Sequence, residues 1–137
     1  FTGISSSHTT AHFTRATLEG AAMSLKDCLE VVTGLGVAMD RVRIIGGGAK
    51  GALWRQIVSD VLGLRLEKVK VDDSSFGTAM LAAVGMGWFA DFAQAAECCV
   101  RIDFVTDPNP ENRAVYAALF PRYRRIAQAL QPIYDDI

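Results

Sequence analysis

An α/β domain whose narrow, mostly parallel sheet is covered by helices is the fold class this sequence predicts, and three observations predict it. Helical and strand periodicities alternate along the chain. One strand runs straight into a cluster of glycines and then into a helix. The 137 residues are 50% apolar and 21% charged, enough for one core and too few for two domains.

The first element is long. Leu18, Ala21, Ala22, Leu25, Cys28, Leu29 and Val32 recur three and four residues apart, which predicts an amphipathic helix over about residues 10–33. Thr9 or Thr10 can cap its start, and Gly34 or Gly36 can end it. At 1.5 Å per residue it is about 36 Å long, enough to cross a domain.

Arg41-Val42-Arg43-Ile44-Ile45 has the β-branched content of a strand, and Gly46-Gly47-Gly48-Ala49-Lys50-Gly51 follows at once. Leu53, Trp54, Ile57, Val58, Val61 and Leu62 mark the next helix, stopped by Gly63. Leu66 to Val71 is a second strand, with alternation made imperfect by charged residues. Asp72-Asp73-Ser74-Ser75 is a turn that can cap a helix over residues 75–86. Its small residues Gly77, Ala79, Ala82 and Ala83 allow close approach to a neighbour.

Residues 88–96 read as a shorter helix and 100–105 as a short strand. Asp107-Pro108-Asn109-Pro110 breaks the chain before a final amphipathic helix over about residues 111–130, with Val115, Leu119, Tyr123, Ile126 and Leu130 on one side. Two or three strands make a narrow sheet, and parallel sheets need both faces covered. The opening at Phe1, in a loop-like stretch, reads as a piece of a longer chain. Strands beyond this sequence are therefore expected to complete the sheet. The long first helix and the small-residue helix are expected to leave apolar surface exposed or to pair two copies in a homodimer.

The composition excludes several classes. A formal net charge of −1 gives no field that draws the chain to nucleic acid or to an acidic membrane. Arg122, Arg124 and Arg125 share one helix and read as a solvated face. Cys28, Cys98 and Cys99 are odd in number and form no C-x-x-C, so core thiols are expected rather than disulfides or zinc. The first ten residues have neither the basic start nor the apolar stretch of a signal peptide. No apolar run approaches the roughly 20 residues of a membrane span, so a cytoplasmic location is expected.

The glycine cluster carries the chemistry. A strand that ends in glycines and turns into a helix lets backbone N–H groups approach a ligand without Cβ obstruction. The helix N-terminus adds partial positive charge suited to phosphate or ribose oxygens, at about 0.3–1 kcal/mol per charge. Gly46, Gly48 and Gly51 also satisfy G-x-G-x-x-G, and acidic residues follow at Glu67 and at Asp72-Asp73, so a dinucleotide site of the Rossmann type stands as an alternative. The P-loop pattern is absent from the sequence. His8 and His12 stand four apart but lack the glutamate of H-E-x-x-H, and Ser5-Ser6-Ser7 has no paired base. Trp54 shares the apolar face of its helix and is expected to pack in the core.

Three segments resemble the FGGY family of carbohydrate kinases. From Gly3-Ile4, seven residues lead to His12-Phe13, and two more lead to Ala16-Thr17-Leu18-Glu19 within the run Arg15 to Gly20; this is similar to the family's second signature. Gly46-Gly47-Gly48-Ala49-Lys50, with Leu53-Trp54-Arg55-Gln56 and Ser59 to Gly63, resembles its adenine-site turn and following helix. Phe76 to Ala83 resembles its small-residue helix.

The resemblance implies an actin/hexokinase-like (ribonuclease H-like) ATPase fold. Residues 1–137 would form the C-terminal portion of the nucleotide-side domain, with the sugar-binding N-terminal domain outside this chain. It implies ATP and Mg2+ as cofactors. Gly46, Gly47, Gly48, Ala49 and Lys50 would be the nucleotide contacts, with no catalytic base and no metal ligand in this portion. Asp72 and Asp73 would be loop and cap residues. The expected reaction is phosphorylation of a sugar hydroxyl, with D-xylulose the nearest acceptor by likeness and ribulose, gluconate and glycerol as alternatives. Gly51-Ala52 stands where Ser-Pro-like residues often occur on the xylulose branch, and Asp73-Ser74-Ser75-Phe76 departs from the approach to the third segment.

Overall fold

A computed structural model describes residues 1–135, so the last two positions of the expected domain lie outside the described residues. The elements in order are α1 (Thr10–Gly34), β1 (Arg41–Ile44), a 3₁₀ turn (Gly47–Lys50), α2 (Ala52–Leu62), β2 (Arg65–Val69), α3 (Ser74–Gly85), α4 (Phe92–Cys99), β3 (Ile102–Thr106) and α5 (Pro110–Asp135). The sheet has the order β1-β2-β3. One helix, α2, carries the chain from β1 to β2, and a single crossover returns it to the same end, so the two strands run parallel with Val42 opposite Leu66. Two helices intervene before β3, which comes back antiparallel with Leu66 opposite Thr106.

The α2 helix is the centre of the fold. Ile57, Val58 and Val61 pack with Ala22 and Met23 of α1, Leu66 of β2, and Tyr116 and Phe120 of α5. Val42, Ile44 and Trp54 lie against this cluster. Enclosed on several sides, α2 also buries three polar residues, Arg55, Ser59 and Asp60, and the last two are fully satisfied. Ser59 Oγ donates to the carbonyls of Leu64 and Thr106. The Asp60 carboxylate accepts from Gln56 Nε2, the Asn109 N–H and Asn112 Nδ2 at 2.7–2.8 Å. Asn109 in turn accepts from the N–H groups of Glu111 and Asn112, which caps α5.

The charged residues that blur the alternation of β2 have partners. Glu67 is buried among Arg41, Arg43 and Arg65 at 3.7–3.9 Å, and Lys68 Nζ donates to Asp103 at 2.9 Å. Both residues are buried.

Three expectations are corrected. In α1 the buried face is Leu18, Ala22 and Met23, and Leu25 and Val32 point to solvent. Met23 supplies volume that Ala21 lacks, and Lys26 lays its ammonium 5.0 Å from the centre of the Phe120 ring. In α5 the buried residues are Tyr116 and Phe120 rather than Val115 and Leu119, and the helix continues through Pro121 and Pro132. An interior proline costs an isolated helix about 3 kcal/mol, which packing at Tyr116 and Phe120 helps to offset. Cys28 and Cys98 are exposed and Cys99 half-buried, so the thiols are not core residues.

The expectation of uncovered apolar surface is met. Leu25, Val31 and Val32 of α1 and Leu81 of α3 are exposed, as are Met86, Trp88 and Phe92 where α3 leads into α4. No residue of α3 is buried.

Candidate functional site

The glycine cluster forms the turn its sequence implies. β1 ends at Ile44, Gly46 takes φ 85° and ψ −177°, and the chain then winds into the 3₁₀ turn that leads through Gly51 into α2. A side chain at Gly46 would be strained, because that backbone region is essentially reserved for glycine. Gly48 is needed for a different reason: a Cβ there would lie 3.1 Å from Trp54 Nε1. Gly47 is required by neither effect, since its φ is not positive and a Cβ would meet nothing within 4 Å. The three glycines thus present an open backbone surface, and all three are exposed.

The turn is held from two sides. From α2, Arg55 Nη1 donates to the carbonyls of Ala49 and Lys50 at 2.6 and 3.0 Å. From the loop after β2, the Asp72 carboxylate accepts from the Gly46 N–H at 3.2 Å. Trp54 is half-buried, packing on the core below and against Gly48 above, which meets the expectation of a core role. Helix α2 begins at Gly51 without a side-chain cap, so the donors of its first turn are left to solvent or a ligand.

Of the five expected contact residues, the structure brings Gly46, Gly47, Gly48 and Lys50 to the surface. Ala49 departs from the expectation. It is wholly buried and so is not part of the exposed face of the turn. Ile45 and Leu53 flank the turn as exposed apolar residues, suited to the face of a flat base. Asp73 caps α3, as its place in the turn implied. Its carboxyl lies below the ordinary carboxylate range because it accepts hydrogen bonds from Ser75.

The remaining polar clusters have local explanations. His12 Nδ1 accepts from the Thr9 N–H at the start of α1, and His8 Nδ1 accepts from the Ser5 N–H. These bonds leave each neutral ring its proton on Nε2. No group of three or more potential metal ligands occurs among the described residues. The run Arg15 to Gly20 supplies a network in which Arg15 Nη2 donates to Tyr116 Oη and Tyr116 Oη donates to Glu19, each at 2.8 Å. Burial raises the Tyr116 phenol above its ordinary value, and hydrogen bonds from Arg15 to Glu19 and Tyr116 raise the guanidinium. Arg124 pairs with Asp27 and Glu30 of α1 at 3.2 and 2.9 Å, so it ties two helices together rather than only facing solvent. A cavity of about 240 Å³ lies beside the start of α1, lined by Phe1, Ile4, His12 and Arg15, and includes nothing from the glycine turn.

Sequence reasoning missed the supports of the turn. An arginine on an otherwise apolar helix face, next to Trp54 and Ile57, needs a partner, and that is the signal that could have singled out Arg55. The bond from Gly46 to Asp72 spans 26 residues and left no local signal.

Comparison with known proteins places these features in a family. Residues 1–86 match the C-terminal domain of the FGGY family of carbohydrate kinases. A xylulose kinase from Staphylococcus epidermidis is 35% identical over 138 aligned residues, which take in 100% of this chain and 28% of that protein. An autoinducer-2 kinase from Salmonella paratyphi B is 36% identical over 123 residues, 88% of this chain and 23% of that one. Among solved structures, a ligand-bound xylulose kinase from Lactobacillus acidophilus superposes with a TM-score of 0.91 at 26% identity, covering 99% of this chain and 28% of the other. The chain thus spans about a quarter of the length of these relatives.

Proposed function

Since this chain belongs to the FGGY family of carbohydrate kinases, we propose that it is the C-terminal portion of the nucleotide-side domain of a kinase that phosphorylates D-xylulose at a hydroxyl. ATP is the phosphoryl donor in this reading. The γ-phosphorus forms a bond to the sugar oxygen, its bond to the bridging oxygen of ADP breaks, and the hydroxyl proton passes to a base that this chain does not supply. Ribulose, gluconate, glycerol or an autoinducer-2-like acceptor would keep the reaction and change only the sugar. Family membership tells against the Rossmann alternative, which rested on the G-x-G-x-x-G spacing, its strand-turn-helix setting and the acidic residues that follow.

The observation that carries the nucleotide assignment is Gly47. The fold itself has no use for a glycine there, yet the position is open, exposed and set between Gly46 and Gly48. A bound adenosine gives it a use, since the base and ribose can approach the backbone closely. In this role Gly46, Gly47 and Gly48 form the wall, Ile45 and Leu53 shelter the base, Lys50 stands beside it, and Ala49 backs the turn. This portion's part in catalysis is positioning, which phosphoryl transfer requires above all. Mg2+ would travel with the triphosphate and neutralise its charge. In this reading its ligands are the phosphates and residues from other parts of the kinase. No helix among the described residues is long and apolar enough to cross a membrane. A cytoplasmic location, where ATP is made available, is part of the proposal.

The test is ADP production by the complete gene product with Mg-ATP, offered D-xylulose, L-ribulose, gluconate, glycerol and autoinducer-2 separately. D-xylulose should stimulate ADP release most strongly. Stimulation by another acceptor alone would overturn the substrate, and stimulation by none would overturn the activity.

A further inference from the structure

The geometry assigns to Arg55 a role in nucleotide affinity that it exercises without touching the nucleotide: we infer that it is the positioning residue of the glycine turn. This rests on the reading of that turn as the adenosine wall. Arg55 is only 8% exposed, yet it is a permanent cation. Its Nη1 is shared between the carbonyls of Ala49 and Lys50, the last two residues of the 3₁₀ turn. Carbonyls at the end of a helical turn have no partner within it, and a buried one needs a donor. Here a single side chain from the second turn of α2 supplies it.

The guanidinium is fixed in turn by β3. Its carbon lies 4.8 Å from the centre of the Phe104 ring, a cation–π distance. Arg55 Nε is buried with no protein partner, an uncommon state for a buried donor. A wall made of glycines has no side chains of its own to stiffen it. Arg55 and Phe104 supply that stiffness from behind, linking the nucleotide surface to the far strand of the sheet.

The proposal predicts an effect on one substrate only. In the complete gene product, Arg55→Met should raise the KM for ATP about tenfold, as expected for losing a charge-assisted hydrogen bond to two carbonyls. The KM for the sugar should be unchanged and kcat altered little, at a temperature well below unfolding. Arg55→Lys should restore part of the affinity, and Phe104→Leu, which leaves the turn itself intact, should raise the ATP KM about twofold. Gly47→Ala is measured beside them, since it tests the wall directly and disturbs nothing in the protein.

A weakened Gly47→Ala enzyme with unchanged ATP KM in the Arg55 variants would overturn the positioning role and leave the wall in place. An unaffected Gly47→Ala enzyme would overturn the wall, and the role of Arg55 with it. If both Arg55 variants fail to fold, Phe104→Leu decides: an unchanged ATP KM overturns the proposal. Equal rises in the KM for ATP and for sugar, or a lower Tm with both constants unchanged, would mark Arg55 as a residue of the core alone.

Discussion

The Asp72 carboxylate accepts a hydrogen bond from the backbone N–H of Gly46, joining the loop after β2 to the first residue of the glycine turn across 26 positions of sequence. Gly46 holds a conformation open to almost no other residue, and the carboxylate fixes the peptide that enters it. Replacing Asp72 with Ala should cost about 0.5–1.5 kcal/mol of the turn's order, the usual net value of one such bond. The expected outcome is ATP binding weakened severalfold with the sugar constant unmoved, measured by calorimetric titration of the complete gene product.

The three glycines should respond differently to the same substitution. Gly46→Ala should destabilise the protein by about 1–3 kcal/mol through backbone strain. Gly48→Ala forces Trp54 to shift, because the new Cβ would lie 3.1 Å from its ring nitrogen. Gly47→Ala should leave stability within about 0.5 kcal/mol of the parent, as surface changes generally do. Thermal unfolding of the three variants separates them, and a large loss at Gly47 would contradict the description of the turn.

Asp60 is a structural carboxylate. Three donors from Gln56, Asn109 and Asn112 converge on it inside the fold. Asp60→Ala leaves these donors unsatisfied and should cost about 2–4 kcal/mol. A fall in Tm with the ATP KM preserved in the surviving folded enzyme is expected.

Tyr116 makes part of the stability depend on alkaline pH. Burial raises its pKa, so the fold favours the neutral phenol. That contribution is fully present below the ordinary tyrosine value of about 10 and is lost as pH rises through the higher folded-state value. Tyr116→Phe should lower Tm near neutral pH, and the difference from the parent should shrink above pH about 10. A constant difference across that range would show that the phenol does not titrate with unfolding.

The strand-turn-helix from Arg41 to Leu62 was legible because glycine, β-branched and apolar residues each mark their place locally. Helix boundaries were read to within a few residues for the same reason, except that α4 begins at Phe92 rather than near Trp88 and α5 runs on to Asp135 rather than ending near Leu130. The faces of α1 and α5 were not legible. Alanines and leucines surround both helices, and only the fold decides that Met23 and Phe120 are turned inward. The direction of β3 depends on the number of intervening helices, not on its own residues. Of the site, the open glycines were visible and their supports were not, since Arg55 and Asp72 act through contacts with backbone elsewhere.

The most direct test of the nucleotide wall is photolabelling of the complete gene product with 8-azido-ATP, followed by tryptic mapping. Cleavage after Arg43, Lys50 and Arg55 isolates residues 44–50 and 51–55, which together hold the turn and the start of α2. Label in these two peptides, protected by ATP and unaffected by NAD, is the predicted result. Label confined to other peptides, or protection by NAD, would contradict the account.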